Sequence, residues 1–266
     1  MAKVVLITGA SAGIGRACAD RLDEKGWTVV GASRRGSTSG RWAPMVMDVD
    51  SDESVRQGVG AILGEHSRLD AVVACAGWGL AGPVELTPVT EAKDQLETNF
   101  WGSVRVVQEA LPIMRRQGGG RVILVSSIGG VIGIPFQAFY SASKFAMEGY
   151  GESLAYEVAP FGIQVSLVQP GNVRTDFTSS RRDVASPDGP DPYAAAVTKA
   201  IGVMEKDEAN GIDPGRVAVV VDKVLNASRP RRRVSVGKLG ERIGIPAKRL
   251  LPYRLFEAGA KGSLGV

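Results

Sequence analysis

The sequence is short of the residues that build metal centres and disulfide frameworks: 266 residues contain two cysteines, Cys18 and Cys75, and one histidine, His66. Two cysteines cannot staple a fold of this length, and neither stands at metal-type spacing from His66, so a reduced, metal-free interior is expected. Long apolar runs are also missing. No stretch approaches the ~18 consecutive apolar residues of a membrane span, and the apolar run Val4 to Ile7 passes into a glycine-rich loop instead of a signal-cleavage site. A cytoplasmic location is therefore expected. Charge is nearly balanced at +4, and no nucleic-acid-binding module accompanies it, which argues against nucleic acid as a partner.

What is present is an ordinary globular composition, 44% hydrophobic and 23% charged, long enough for one large core and expected to form one domain over 1–266. Short β-branched runs alternate with helical stretches: Lys3 to Thr8, Trp27 to Ser33, Met45 to Val49, Leu69 to Cys75, Arg121 to Ser126, Ile163 to Val168 and Arg233 to Val236. That alternation predicts an α/β fold, a parallel sheet of about seven strands with crossover helices on both faces. The stretch 177–211, with Ser179-Ser180-Arg181-Arg182 and Ser186-Pro187-Asp188-Gly189-Pro190 ahead of a helical run from Tyr193 to Glu205, reads as an inserted lid. Asp213-Pro214 reads as the N-cap and first turn of another helix.

The basic charge is concentrated in the C-terminal extension 229–266. Residues 229 to 254 hold nine Lys or Arg against one acid, Glu241, interleaved with Leu239, Ile243, Leu250 and Leu251. A solvated helix and strand closing the domain is the favoured reading; an anionic membrane surface or an acidic partner is the other.

Two motifs carry chemistry. Gly9, Gly13 and Gly15, with Ser11 and Ile14 among them, lie between the first predicted strand and first helix, where backbone N–H groups can hold a pyrophosphate. The spacing is G-x-x-x-G-x-G, so the dinucleotide reading depends on its strand-loop-helix context. Further along, Tyr140 and Lys144 are four apart, on one face of a helix. An ammonium beside a phenol favours phenolate, moving the pKa from ~10 toward the range useful for proton transfer at neutral pH.

Thr8-Gly9-Ala10-Ser11-Ala12-Gly13-Ile14-Gly15, Cys75-Ala76-Gly77, Asn99, Ser127, Tyr140-Ser141-Ala142-Ser143-Lys144 and Pro170-Gly171-Asn172-Val173-Arg174-Thr175 occur in the order and spacing of one known family. In these motifs the chain resembles the short-chain dehydrogenase/reductase family over residues 1 to 230, and in Trp78 to Pro83 and Ser143 to Gly149 its 17-beta-hydroxysteroid and retinol dehydrogenase branch. The resemblance implies a doubly wound, Rossmann-type sheet. It also implies Tyr140 as general acid or base, Lys144 tuning it and holding the nicotinamide ribose, Ser127 positioning the reacting oxygen, and Asn99 holding a water for proton resupply. It places Asp48 and Val49 at the adenine, and Thr175, beside Pro170, Gly171 and Val173, at the carboxamide. Where the family reads Asn-Asn-Ala-Gly, this chain has Ala74-Cys75-Ala76-Gly77, which removes amides that brace the turn. Cys75 reads as a small buried residue.

Cofactor choice rests on Ser33-Arg34-Arg35. An acid at Ser33 would bind the ribose 2′-OH of NAD; Arg34 and Arg35 suit the 2′-phosphate of NADP, so NADP(H) is expected. The segments bordering the reacting centre are apolar, with Trp78, Leu80, Ile134, Phe136 and Phe177 as expected substrate contacts. They predict a hydrophobic ketone or alcohol as substrate. A carrier-bound ketoacyl chain is the alternative, and a non-catalytic dinucleotide sensor a third. Small residues nearly all round the Tyr140 helix predict a homodimer or homotetramer.

Overall fold

The computed structural model describes residues 2–36, 41–185 and 190–264; the predicted turn Ser186-Pro187-Asp188-Gly189 lies outside them. The elements are β1 Val4–Thr8, α1 Gly13–Glu24, β2 Thr28–Ser33, β3 Ala43–Val46, α2 Asp52–His66, β4 Ala71–Ala74, β5 Leu80–Ala81, α3 Val89–Leu96, α4 Gly102–Arg116, β6 Gly120–Val125, α5 Ala138–Val158, β7 Ile163–Pro170, α6 Phe177–Ser180, β8 Arg182–Asp183, α7 Ala194–Ala209, α8 Pro214–Asn226, β9 Arg233–Val236, α9 Leu239–Leu250 and α10 Tyr253–Leu264.

Seven strands form a parallel sheet in the order β3-β2-β1-β4-β6-β7-β9. Because successive strand side chains point to opposite faces, β1 feeds two cores. Val4 and Leu6 pack with Ile62, Met114 and Leu154 from α2, α4 and α5. Val5 and Ile7 pack with Leu22, Val221 and Leu225 from α1 and α8. Each fully buried aliphatic side chain contributes roughly 1.5–3 kcal/mol, so the central strands are the most strongly anchored part of the sheet.

This is the doubly wound Rossmann architecture expected. The third strand departs from its expected place: Met45 to Val49 was the predicted run, yet β3 is Ala43–Val46 and contains Pro44. An edge strand tolerates a proline that a central one would not, and β3 is the edge. Asp213 caps α8 as predicted, its Oδ1 accepting from the Gly215 N–H at 2.8 Å.

Strand order reverses between β1 and β4, so their carboxyl ends open onto a crevice where ligands of such sheets bind.

Candidate active site

A cavity of about 1240 Å³ fills that crevice. All the expected cofactor residues, from Gly9 through Arg34, Asp48 and Gly77 to Thr175, line it. The chain makes room for a dinucleotide there. Gly13 has φ +54°, and a Cβ on it would fall 3.3 Å from Thr175 Cβ; one on Gly15 would overlap the Gly9 carbonyl. Ala12, the N-cap of α1, offers no side-chain cap, so the first amides of α1 are left for another acceptor. At the far end Arg35 donates to Ser11 Oγ at 3.3 Å, and Arg34 lines the same pocket, with Ser33 where an acid would otherwise stand. Asp50, which the sequence reading passed over, also lines this end; burial pushes its carboxyl up, against the Thr98 hydrogen bond.

Thr8 braces the turn after Ala74. Its Oγ1 accepts from the backbone N–H groups of Cys75 at 3.0 Å and Ala76 at 3.1 Å. Burial holds the Cys75 thiol up at about 11, so it is a protonated packing group.

Tyr140 and Lys144 share the cavity floor with Ser127, which follows β6 and caps a short turn, its Oγ accepting from Gly129 N–H at 3.0 Å. The Tyr140 ring edge and Ser127 Oγ lie side by side over Gly129, 3.2 and 3.4 Å from where a Cβ on that glycine would stand. Lys144, only 6% exposed, donates to the Val125 carbonyl at 3.0 Å and lies 5.9 Å from the Tyr140 ring centre. Burial lowers the lysine to about 8, and burial raises the phenol to about 12, with the neighbouring Ser127 hydroxyl opposing that rise. The tuning expected of Lys144 is therefore not what this arrangement produces. Its ammonium is committed to a backbone carbonyl and is itself destabilised by desolvation.

Asn99 does not line the cavity. It is fully buried on a π-helical turn, Glu97–Trp101, where its Oδ1 accepts from Trp78 N–H at 2.9 Å and its Nδ2 donates to Trp78 O at 3.0 Å and Ser143 Oγ at 3.1 Å. The irregular turn thereby clamps the loop after β4 to the helix carrying Lys144.

Of the expected substrate contacts, Trp78, Ile134 and Phe177 line the cavity, and Phe177 meets the Tyr140 ring edge-on at 5.7 Å. Leu80 and Phe136 do not line it. Leu80 is buried in β5, which pairs with β8, and Phe136, at φ 58°, uses its carbonyl to accept from Gly82 N–H at 2.8 Å. Both support the cover instead of facing the ligand. Arg181, buried within the 177–211 segment, anchors that cover through Glu208 and Glu205.

The sequence reading missed the cavity's outer wall. Ile243 and Ala247 from α9, Leu255 and Phe256 from α10 and Leu251 between the two helices line it, with Met204 from α7. The signal was the apolar residues spaced through the basic extension. Gln137 and Ser126 also line the cavity, and Gln137 Nε2 and Ser126 Oγ are buried without a hydrogen-bond partner among the described residues. No group of acids, cysteines and histidine suited to a metal occurs among the described residues.

The family description "short chain dehydrogenase" matches residues 3–185. The chain belongs to the short-chain dehydrogenase family. It is 41% identical over 256 residues to the 3-ketodihydrosphingosine reductase of Bacteroides thetaiotaomicron, covering 96% of this chain and 95% of that protein. It is 36% identical over 256 residues to retinol dehydrogenase 8 of Bos taurus, covering 88% and 81% respectively. A short-chain dehydrogenase from Streptomyces avermitilis has the same fold, with a TM-score of 0.83 at 30% identity and 98% of each chain covered. As a short-chain dehydrogenase, the protein is an oxidoreductase of CH–OH/C=O groups that works with a nicotinamide cofactor.

Proposed function

We propose that the protein is an NADP(H)-dependent reductase of lipophilic ketones, working in the cytoplasm on a long-chain, lipid-like 3-keto substrate. The observation that carries this reading is one cavity in which Ser127, Tyr140 and Lys144 meet an apolar outer wall built by Ile134, Phe177, Ile243, Leu251 and Phe256. Near identity in length with a relative named for a long-chain keto base supports the lipid class. Arg34 and Arg35, at the ribose end without a competing acid, support NADP(H).

Gly9, Gly13 and Gly15 would cradle the pyrophosphate, Asp48 and Val49 the adenine, Lys144 the nicotinamide ribose, and Val173 and Thr175 the carboxamide. When bound, the cofactor supplies hydride to the carbonyl carbon. The chain then has three tasks. Ser127 holds the carbonyl oxygen; Tyr140 gives that oxygen its phenolic proton as negative charge develops; Lys144, near 8, can return a proton to the phenolate at neutral pH. The high phenol pKa keeps Tyr140 protonated at neutral pH, the form in which it can give a proton. Alcohol oxidation would run the same transfers in reverse.

We also propose a homodimer through α4 and α5, where Phe145 and Tyr156 on α5, Trp101 just before α4 and Phe161 just after α5 leave aromatic rings exposed.

The deciding assay follows NADPH and NADH oxidation with 3-ketodihydrosphingosine, steroid ketones, retinal and ketoacyl-carrier thioesters. The expected result is NADPH-dependent turnover highest on the free long-chain ketone. Preference for the carrier thioester, or for NADH, would overturn the corresponding part.

A further inference from the structure

We infer that α9 and α10 form a docking surface for an anionic lipid membrane, so that a lipophilic substrate enters the cavity from the bilayer. Leu239, Ile243 and Leu250 recur at helical spacing and form one stripe along α9; they are 71%, 54% and 81% exposed. The opposite face is spent on the body of the protein: Glu241 bonds Asn172, Gly244 lies against Ile132, and Lys248 donates to the Val131 carbonyl. Leu251 between the two helices and Tyr253 and Leu255 at the start of α10 extend the exposed apolar surface.

Two features identify the occupant. The first is charge. Arg242, Arg249 and Arg254 stand exposed beside the apolar stripe with no carboxylate within ion-pair distance among the described residues, Arg249 acting on Glu152 only from further away; of the two acids of α9 and α10, Glu241 is turned inward and Glu257 is paired with Lys261. Exposed leucines flanked by exposed arginines match the acyl and headgroup layers of an anionic leaflet. A second copy of the chain would bring arginine against arginine. The second feature is continuity: Ile243, Leu251 and Leu255 are exposed and also line the catalytic cavity, so the apolar surface runs inward to the reacting centre. No helix among the described residues is long and apolar enough to cross a membrane, which leaves surface contact as the mode of binding. The docking surface stands on these residues alone, whereas entry of the substrate from the bilayer rests on the lipophilic ketone proposed above.

The test is flotation of the full chain with vesicles of phosphatidylcholine alone and of phosphatidylcholine with phosphatidylglycerol, at low and high salt. The expected result is binding to the anionic vesicles, much weaker binding to the neutral ones, and release by salt. Because each arginine near an anionic surface is worth roughly fivefold in affinity, Arg249→Glu with Arg254→Glu should weaken binding at least tenfold. Leu250→Asp should weaken it as well. Both variants should keep the wild-type unfolding midpoint and the wild-type turnover of a short, water-soluble ketone, since none of the three residues lines the cavity. If no ketone is turned over, the midpoint still certifies folding and the vesicle result stands alone. Three results would overturn the inference: no binding to anionic vesicles, equal binding to both kinds, or binding unaltered by the substitutions. A dimer that Leu250→Asp dissociates, seen by light scattering, would assign the surface to a second copy instead.

Discussion

The Glu241 carboxylate on α9 accepts from Asn172 Nδ2 at 2.9 Å and from the Asn172 backbone N–H at 3.3 Å, joining the cavity's outer wall to the loop that follows β7. Its other oxygen accepts from the Lys238 N–H at 2.8 Å, which fixes the start of α9. Gly171 and Gly237 leave the space it occupies, since a Cβ on either would overlap the carboxylate. One side chain therefore couples the cavity's outer wall, proposed to meet substrate, to the loop assigned to the nicotinamide end of the cofactor.

Removing that coupling should loosen the substrate site more than the chemistry. Hydrogen bonds to a charged group are worth roughly 1.5–3 kcal/mol, so Glu241→Ala should raise the KM for a lipophilic ketone about tenfold with a smaller change in kcat. Asn172→Ala should do the same, and the double variant should be no worse than either single one. Additive losses in this double-mutant cycle would show that the two residues act separately.

Tyr140→Phe removes the proposed proton donor and keeps the ring that packs on Phe177. Turnover should fall by roughly 10²–10⁴, the range for a lost general acid, with NADPH affinity nearly unchanged in a fluorescence titration. Turnover within a few fold of wild type would remove Tyr140 from the mechanism.

Cofactor preference should follow Arg34. Arg34→Glu places a carboxylate where the 2′-phosphate is proposed to lie, and should lower kcat/KM for NADPH roughly 10- to 100-fold while NADH gains on it. An unchanged ratio of the two efficiencies would show that Arg34 points its charge elsewhere.

How much of this was legible in sequence follows the range of the interactions. The glycine loop and the Tyr140–Lys144 pair are local patterns within one turn or one helix, so residue spacing alone placed them in the cavity. Partners distant in the chain were not legible. Nothing local shows that Thr8 braces a turn 67 residues away, or that Glu241 reaches back 69 residues to Asn172. Leu80 and Phe136 look like pocket residues because they are apolar and near the motif, yet strand pairing and a positive φ turn them to structural use. The phenol pKa was misjudged for a related reason. A lysine one helical turn away is visible in sequence, whereas the burial that outweighs it belongs to the assembled fold.

That burial makes a prediction for stability. Lys144 has a folded pKa near 8 against an ordinary 10.5, so the folded protein carries the cost of a buried ammonium. The unfolded chain binds more protons between those two values, so this contribution to stability rises with pH across the window from 8 to 10.5 and is flat below it. At ~1.36 kcal/mol per pKa unit, the full change is about 3 kcal/mol. Tyr140 and Tyr150, both raised to about 12 by burial, act in the opposite direction above their unfolded value, ordinarily near 10. The comparison is therefore with Lys144→Met, which keeps both tyrosines and removes the amine. In urea unfolding at pH 7 and pH 10, wild type should gain roughly 2 kcal/mol on the variant as pH rises. Parallel stabilities at the two pH values would mean that the amine is solvated, and would remove the lowered pKa on which proton return by Lys144 depends.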